Sequence, residues 1–139
     1  MQKLAISVNG QTICHNQKVP YELVHNQSQY APKIICPKLD PNKLYTLIMV
    51  DRDAPSRYNP INSFYLHWMI INTNDVIAEY IQPSPPKNSG EHRYYVILYE
   101  QSNKINYDLI SRARFNLELF IKNNNLIPLY GMMFTTEND

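Results

Sequence analysis

Leu44-Tyr45-Thr46-Leu47-Ile48-Met49-Val50, followed directly by Asp51-Arg52-Asp53-Ala54-Pro55, is the stretch on which the fold turns. The first part is an almost unbroken run of β-branched, aliphatic and aromatic side chains. Such a run predicts a strand covered on both faces, in the middle of a sheet. Where it ends, two carboxylates and a proline take over, so the chain passes at once from core to a polar loop reaching Asn62.

Two further segments share the character of that strand, Phe64 to Asn72 and Arg93 to Glu100. Near the start, Leu4, Ile6 and Val8 alternate with Lys3, Ala5 and Ser7, and Asn9-Gly10 marks a turn. Gln11 to Cys14 then returns as the second strand of a hairpin. Lys33 to Cys36 and Val76 to Tyr80 are weaker strands, and residues 15–32 read as irregular chain around short extended pieces. One helix is expected, with Ser111 as N-cap, an apolar stripe through Phe115, Leu119, Phe120 and Ile121, and Asn123-Asn124-Asn125 as its end. Ile127 to Phe134 returns to the sheet. The expectation is one mainly β domain over residues 1–139 with a single short helix near the C-terminus.

Composition narrows the function. A chain of 139 residues can bury one core without staples. A formal charge of +1 argues against a dedicated nucleic-acid binder, whose footprint is a strong basic excess. Only three glycines leave no material for a glycine-rich phosphate loop, whereas ten prolines stiffen the loops. No apolar run is long enough for a membrane span. Cys14 and Cys36 lie far apart, and the start of the chain lacks a secretory pattern. Reduced thiols and a cytoplasmic location are therefore expected.

Polar residues gather at the ends of the three strong strands. Asp51 and Asp53 close the first, His67 lies inside the second, and the proline-stiffened segment Pro83-Ser84-Pro85-Pro86 leads through Ser89 to His92-Arg93-Tyr94 at the third. Each has a plainer explanation. His67 alone would be a satisfied core histidine, Asp51 a turn former bonded to main-chain N–H groups, and Arg93 the partner of Asp53. The case for a site lies in convergence. If the strands are neighbours, a carboxylate, two imidazoles and the Tyr94 hydroxyl meet near one sheet edge. Buried polar groups are costly unless paired, so such a meeting points to a polar ligand or a tight network.

These motifs together resemble the phosphatidylethanolamine-binding protein family, which includes the Raf kinase inhibitor proteins and plant flowering-time regulators. Tyr45 to Arg57 is similar to its Asp-Pro-Asp-Ala-Pro-Ser motif, and Tyr65-Leu66-His67-Trp68 to its histidine-bearing strand. Pro85-Pro86 through His92-Arg93-Tyr94 to Leu98-Tyr99-Glu100-Gln101 is similar to its third motif. The resemblance spans nearly the whole chain. It implies a central antiparallel sheet packed on a smaller sheet, and a small cavity for a phosphate, phosphoethanolamine or acetate group. Carried over by position, Asp51, Tyr65, His67, Pro86, His92 and Tyr94 would line that cavity, with backbone donors near Ser84. Asp53 and Arg93 would be a supporting pair, and Ala54-Pro55 a cis peptide.

The chain also departs from that family. Arg52 replaces a proline, Ser84 stands where a glycine is usual, and the segment from Asn72 to Pro83 is shorter than in animal members. The resemblance further implies that the C-terminal helix bordering the cavity is missing, which leaves a more open pocket. The abundance of Asn, Ile, Tyr and Lys suits an AT-rich genome, such as that of a large DNA virus or a parasite; for a viral chain the location would be the host cytoplasm.

The expected function is non-enzymatic. Phosphate-bearing small molecules or phospholipid head groups would bind, with protein contacts to a kinase or other signalling partner, and the chain would be a monomer. The alternatives are a protein-interaction module with a vestigial pocket and a hydrolase built on His and Asp. Ser84, Ser89 and Cys36 are available as nucleophiles, but none lies in a recognisable elbow. Asp51, His67 and His92 have metal-ligand chemistry without short ligand spacing, so neither a metal nor a cofactor is expected.

Overall fold

The computed structural model describes residues 1–26 and 30–139. Its elements, in chain order, are β1 (Gln2–Lys3), β2 (Ala5–Val8), β3 (Gln11–Ile13), β4 (Gln17–Lys18), α1 (Tyr21–Val24), β5 (Lys33–Ile35), β6 (Leu44–Asp51), β7 (Tyr65–Ile71), β8 (Asp75–Ala78), β9 (His92–Gln101), α2 (Leu117–Asn123) and β10 (Ile127–Thr136). They form two sheets. The larger runs β1-β10-β9-β6-β7-β8, with β4 also paired to β10; the smaller runs β3-β2-β5. The four long strands of the larger sheet are antiparallel, whereas the short β1 and β4 join β10 in parallel. This is the expected mainly β architecture, a central sheet packed on a smaller one.

Alternation along β6 shows why its sequence is apolar throughout. Tyr45, Leu47 and Met49 face the smaller sheet and pack with Leu4, Ile6, Val8 and Ile13. Ile48 and Val50 face the other way, into a second core completed by Phe115, Leu117, Phe120 and Leu126. In β9, likewise, Tyr94, Val96 and Leu98 join the first core, and Tyr95, Ile97 and Tyr99 the second. A strand between two cores has no face left for water.

The N-terminal hairpin forms as expected. Asn9 and Gly10 both take positive φ, 49° and 79°, as a two-residue turn matched to strand twist requires. Within the stretch expected to be irregular, β4 and α1 are short ordered pieces; residues 27–29 lie outside the described residues. The two thiols are free, Cys14 exposed and Cys36 half-buried.

The helix start differs from expectation. Asn116, not Ser111, is the N-cap, its side-chain oxygen accepting the Leu119 N–H at 3.0 Å. Ser111 instead donates to Ala113 O. Between them Arg114 takes a φ of 57°, and the Phe115 N–H is drawn to Phe64 O on the strand side, so no helix can begin earlier. The buried residues of α2 are Leu117 and Phe120, whereas Leu119 is 49% exposed. Helical spacing alone did not reveal which face meets the sheet.

Candidate functional site

β6, β7 and β9 are adjacent, and their ends bring the three motifs together. Asp51 is paired with Tyr65 on one side and Tyr94 on the other. A cavity of about 240 Å³ opens here. Asp51, Tyr65, His67, Ser84, Pro86 and His92, all read from the sequence, line it, as does Pro55. Ala54-Pro55 is a cis peptide, and so is Ser63-Phe64. Tyr94 stands behind the wall rather than in it. Fully buried, it stacks between His92 and Phe134 and meets the edge of His67.

A local irregularity aims His67. Met49 pairs with Trp68 and Val50 with Leu66, so His67 is the extra residue of a β-bulge. Its Nδ1 lies 2.6 Å from the Ile81 carbonyl oxygen. A carbonyl can only accept, so Nδ1 carries a proton, and in the neutral ring Nε2 presents a lone pair. Burial holds the His67 pKa below its usual 6.5; Arg112 and His92 act the same way, while the Ile81 carbonyl and the Asp51 charge oppose the shift.

Asp51 is committed through both oxygens. Oδ1 accepts the Asp53 N–H at 2.7 Å, and Oδ2 accepts His92 Nδ1–H at 2.7 Å. Both side chains are buried, so the carboxylate fixes the tautomer and orientation of His92. The other nitrogen of His92, Nε2, lies 2.9 Å from Ser89 Oγ. The Tyr94 hydroxyl is the one buried side-chain polar atom among the described residues without a hydrogen bond of good geometry. Burial, and then the nearby Asp51 carboxylate, push that phenol far above its usual range.

The expected pair of Asp53 and Arg93 is formed. Arg93 donates Nε–H to Oδ2 and Nη2–H to Oδ1, at 2.9 and 2.8 Å, and its main-chain N–H adds a third bond at 2.8 Å. Burial alone would raise the Asp53 carboxyl, but these bonds and the charges of Arg93 and Arg57 outweigh it and hold the pKa below its usual value.

Several supporting residues escaped the sequence reading. Asn62, Ala54 and Ile81 also line the cavity. Arg112 donates to the carbonyls of Leu66, His67 and Glu79, gripping the bulge from outside the sheet. His25, stacked on Tyr21, places Nδ1 2.8 Å from Pro83 O and 3.3 Å from Ser84 Oγ, and so tethers the proline-rich wall. Nothing in local pattern marks the hydrogen bonds of Arg112 and His25, because each spans tens of residues. A larger hollow of about 690 Å³ lies by Asn72, Asp75, Lys104, Tyr107 and Asp108, but its charged groups Asp75, Lys104 and Asp108 are exposed side chains without convergent chemistry. Among the described residues no three His, Cys, Asp or Glu are placed to hold a metal ion.

The fold and site define a two-sheet β domain with a small pocket of buried imidazole and carboxylate groups. The family model "Phosphatidylethanolamine-binding protein" matches residues 9–75 and 72–132, and the chain belongs to the phosphatidylethanolamine-binding protein family, a family of binding proteins. A phosphatidylethanolamine-binding protein homologue of Acanthamoeba polyphaga mimivirus is 39% identical over 141 residues, covering 95% of each chain. A putative odorant-binding protein of Drosophila melanogaster is 41% identical over 76 residues, half of this chain and 36% of the fly protein. Among solved structures, a carboxypeptidase Y inhibitor in complex with its cognate proteinase superposes with a TM-score of 0.79 at 22% identity, covering 98% of this chain and 83% of that one. The phosphatidylethanolamine-binding protein of Plasmodium vivax gives 0.78 at 22% identity, covering 98% and 85%.

Proposed function

We propose that the cavity between Asp51, His67 and His92 binds a phosphate-bearing head group, such as phosphoethanolamine or a free phosphate monoester. The observation that carries this reading is the pairing of opposite preparations in one small space. Asp51 lines the cavity with both oxygens already engaged, so its charge is spent on His92 and the Asp53 N–H. His67 lacks a protein partner for Nε2 among the described residues while its Nδ1–H is held by Ile81 O. A fully deprotonated phosphate oxygen facing that lone pair would be repelled. Binding therefore takes up a proton, which sits between Nε2 and a phosphate oxygen, and affinity rises as pH falls.

Titration calorimetry with phosphoethanolamine and with inorganic phosphate, in buffers of different ionisation enthalpy, tests this. The expected result is uptake of one proton, affinity greater at pH 6 than at pH 8, and a loss of about tenfold or more in His67→Ala, the scale of a charge-assisted hydrogen bond. Absence of binding at millimolar ligand, or equal affinity in wild type and His67→Ala, overturns it.

A second reading has its own observation. Tyr58 is 99% and Ile61 61% exposed, on the loop between the lining residues Pro55 and Asn62. Large apolar side chains beside the mouth suit contact with a protein, for which a cytoplasmic kinase or other signalling protein is the proposed class. Among the described residues no helix is long and apolar enough to cross a membrane. Loss of protein binding in Tyr58→Ala with head-group binding intact would separate the two roles.

A further inference from the structure

Ser89, His92 and Asp51 form a continuous chain of hydrogen bonds. Ser89 Oγ lies 2.9 Å from His92 Nε2, and His92 Nδ1 lies 2.7 Å from Asp51 Oδ2. The imidazole and carboxylate are buried, His92 to 1% and Asp51 to 4% exposure, while Ser89 remains half-exposed on its loop. These are the parts an activated hydroxyl needs: a nucleophile in reach of a base, and a base oriented by a third group. Asp51, by holding Nδ1–H, directs the Nε2 lone pair of neutral His92 toward the hydroxyl.

Ser84 provides an internal contrast. Its hydroxyl also approaches a histidine, 3.3 Å from His25 Nδ1, but that nitrogen faces the Pro83 carbonyl, and among the described residues the other ring nitrogen meets the Gln82 amide rather than a carboxylate. The Ser89 hydroxyl donates to Pro86 O at 2.6 Å, so its hydrogen lies on that carbonyl in the resting geometry. It must swing to His92 Nε2, 2.9 Å away, before His92 can accept it. Both its partners, Pro86 and His92, line the cavity, whereas Ser89 itself does not, so its hydroxyl borders the cavity through them.

We propose that Ser89 is a His92-activated nucleophile that captures phosphoryl, phosphonyl or acyl electrophiles beside the same cavity; the capture does not require that a head group binds there. In the step, Ser89 Oγ forms a bond to phosphorus or to the acyl carbon, and its proton passes to His92 Nε2. The leaving group departs with the electron pair of the broken bond. Asp51 balances the charge of the resulting imidazolium. One capture per chain is the outcome, a stoichiometric modification rather than turnover.

A fluorophosphonate probe followed by intact-mass and peptide-mapping mass spectrometry tests the proposal; here the leaving group is fluoride. The expected result is one adduct per folded chain, at Ser89, absent in Ser89→Ala and unchanged in Ser111→Ala, a serine outside the site. Asp51→Asn should slow labelling by about 100-fold or more, since the amide favours the wrong tautomer. Wild type unfolded in urea should not react, which keeps the test decisive even where the Asp51 variant does not fold. No adduct, an adduct elsewhere, labelling of the unfolded chain at the native rate, or a folded Asp51→Asn protein reacting as fast as wild type would overturn the assignment.

Discussion

At the scale of single residues, the unexpected feature of a pocket proposed to take an anion is a carboxylate in its wall. Asp51 is tolerable there because neither of its oxygens is idle: one accepts a main-chain N–H, the other orients His92. His67 is the residue on which pH acts. Its folded pKa lies below the usual 6.5, so the unfolded chain takes up a proton before the folded one does. The contribution of His67 to stability is therefore complete above about pH 6.5 and declines as pH falls from there toward its folded pKa. Urea midpoints measured between pH 8 and pH 5 should fall more in wild type than in His67→Gln, and equal slopes would contradict the argument. Asp53 acts in a separate, more acidic window. Its pKa is lowered, so the stability from its bonds to Arg93 is present above 3.8 and is lost as pH falls through the folded value.

At the scale of elements, the sequence was most informative where side chains repeat with a period of two. The doubly covered β6, the hairpin of β2 and β3, and the long β9 were all legible, since strand burial is written directly into alternation or continuous apolarity. The bulge at His67 was not legible. A bulge arises from the mismatch of register between two strands, and neither β6 nor β7 contains it alone. The helix was legible in kind but not in its start. Ser111 and Asn116 are both good caps by type; the bond from Phe115 N–H to Phe64 O decided between them. Asn116→Ala should destabilise the protein by about 1 kcal/mol in denaturant unfolding, and Ser111→Ala by little. The reverse order would return the cap to Ser111.

The whole molecule is a sheet held between two cores, and the site depends on the first of them. Phe134 of β10 stacks on Tyr94, which in turn backs both histidines. Phe134→Ala should cost about 3–5 kcal/mol in urea unfolding, as large buried aromatics do. A cost below about 1 kcal/mol would mean that the site's backing is not built on this core. The chain alone carries the fold class, the order of the strands along it and the types of residue that meet at their ends, because periodicity and motif chemistry are local and need no partner to be read. Tertiary structure was required to make Ser89, His92 and Asp51 consecutive, to let His25 and Arg112 brace walls that lie far from them in sequence, and to set Tyr94 behind the cavity instead of in it. Those arrangements rest on strand register and long-range hydrogen bonds, and such distances exist only once the sheet has closed.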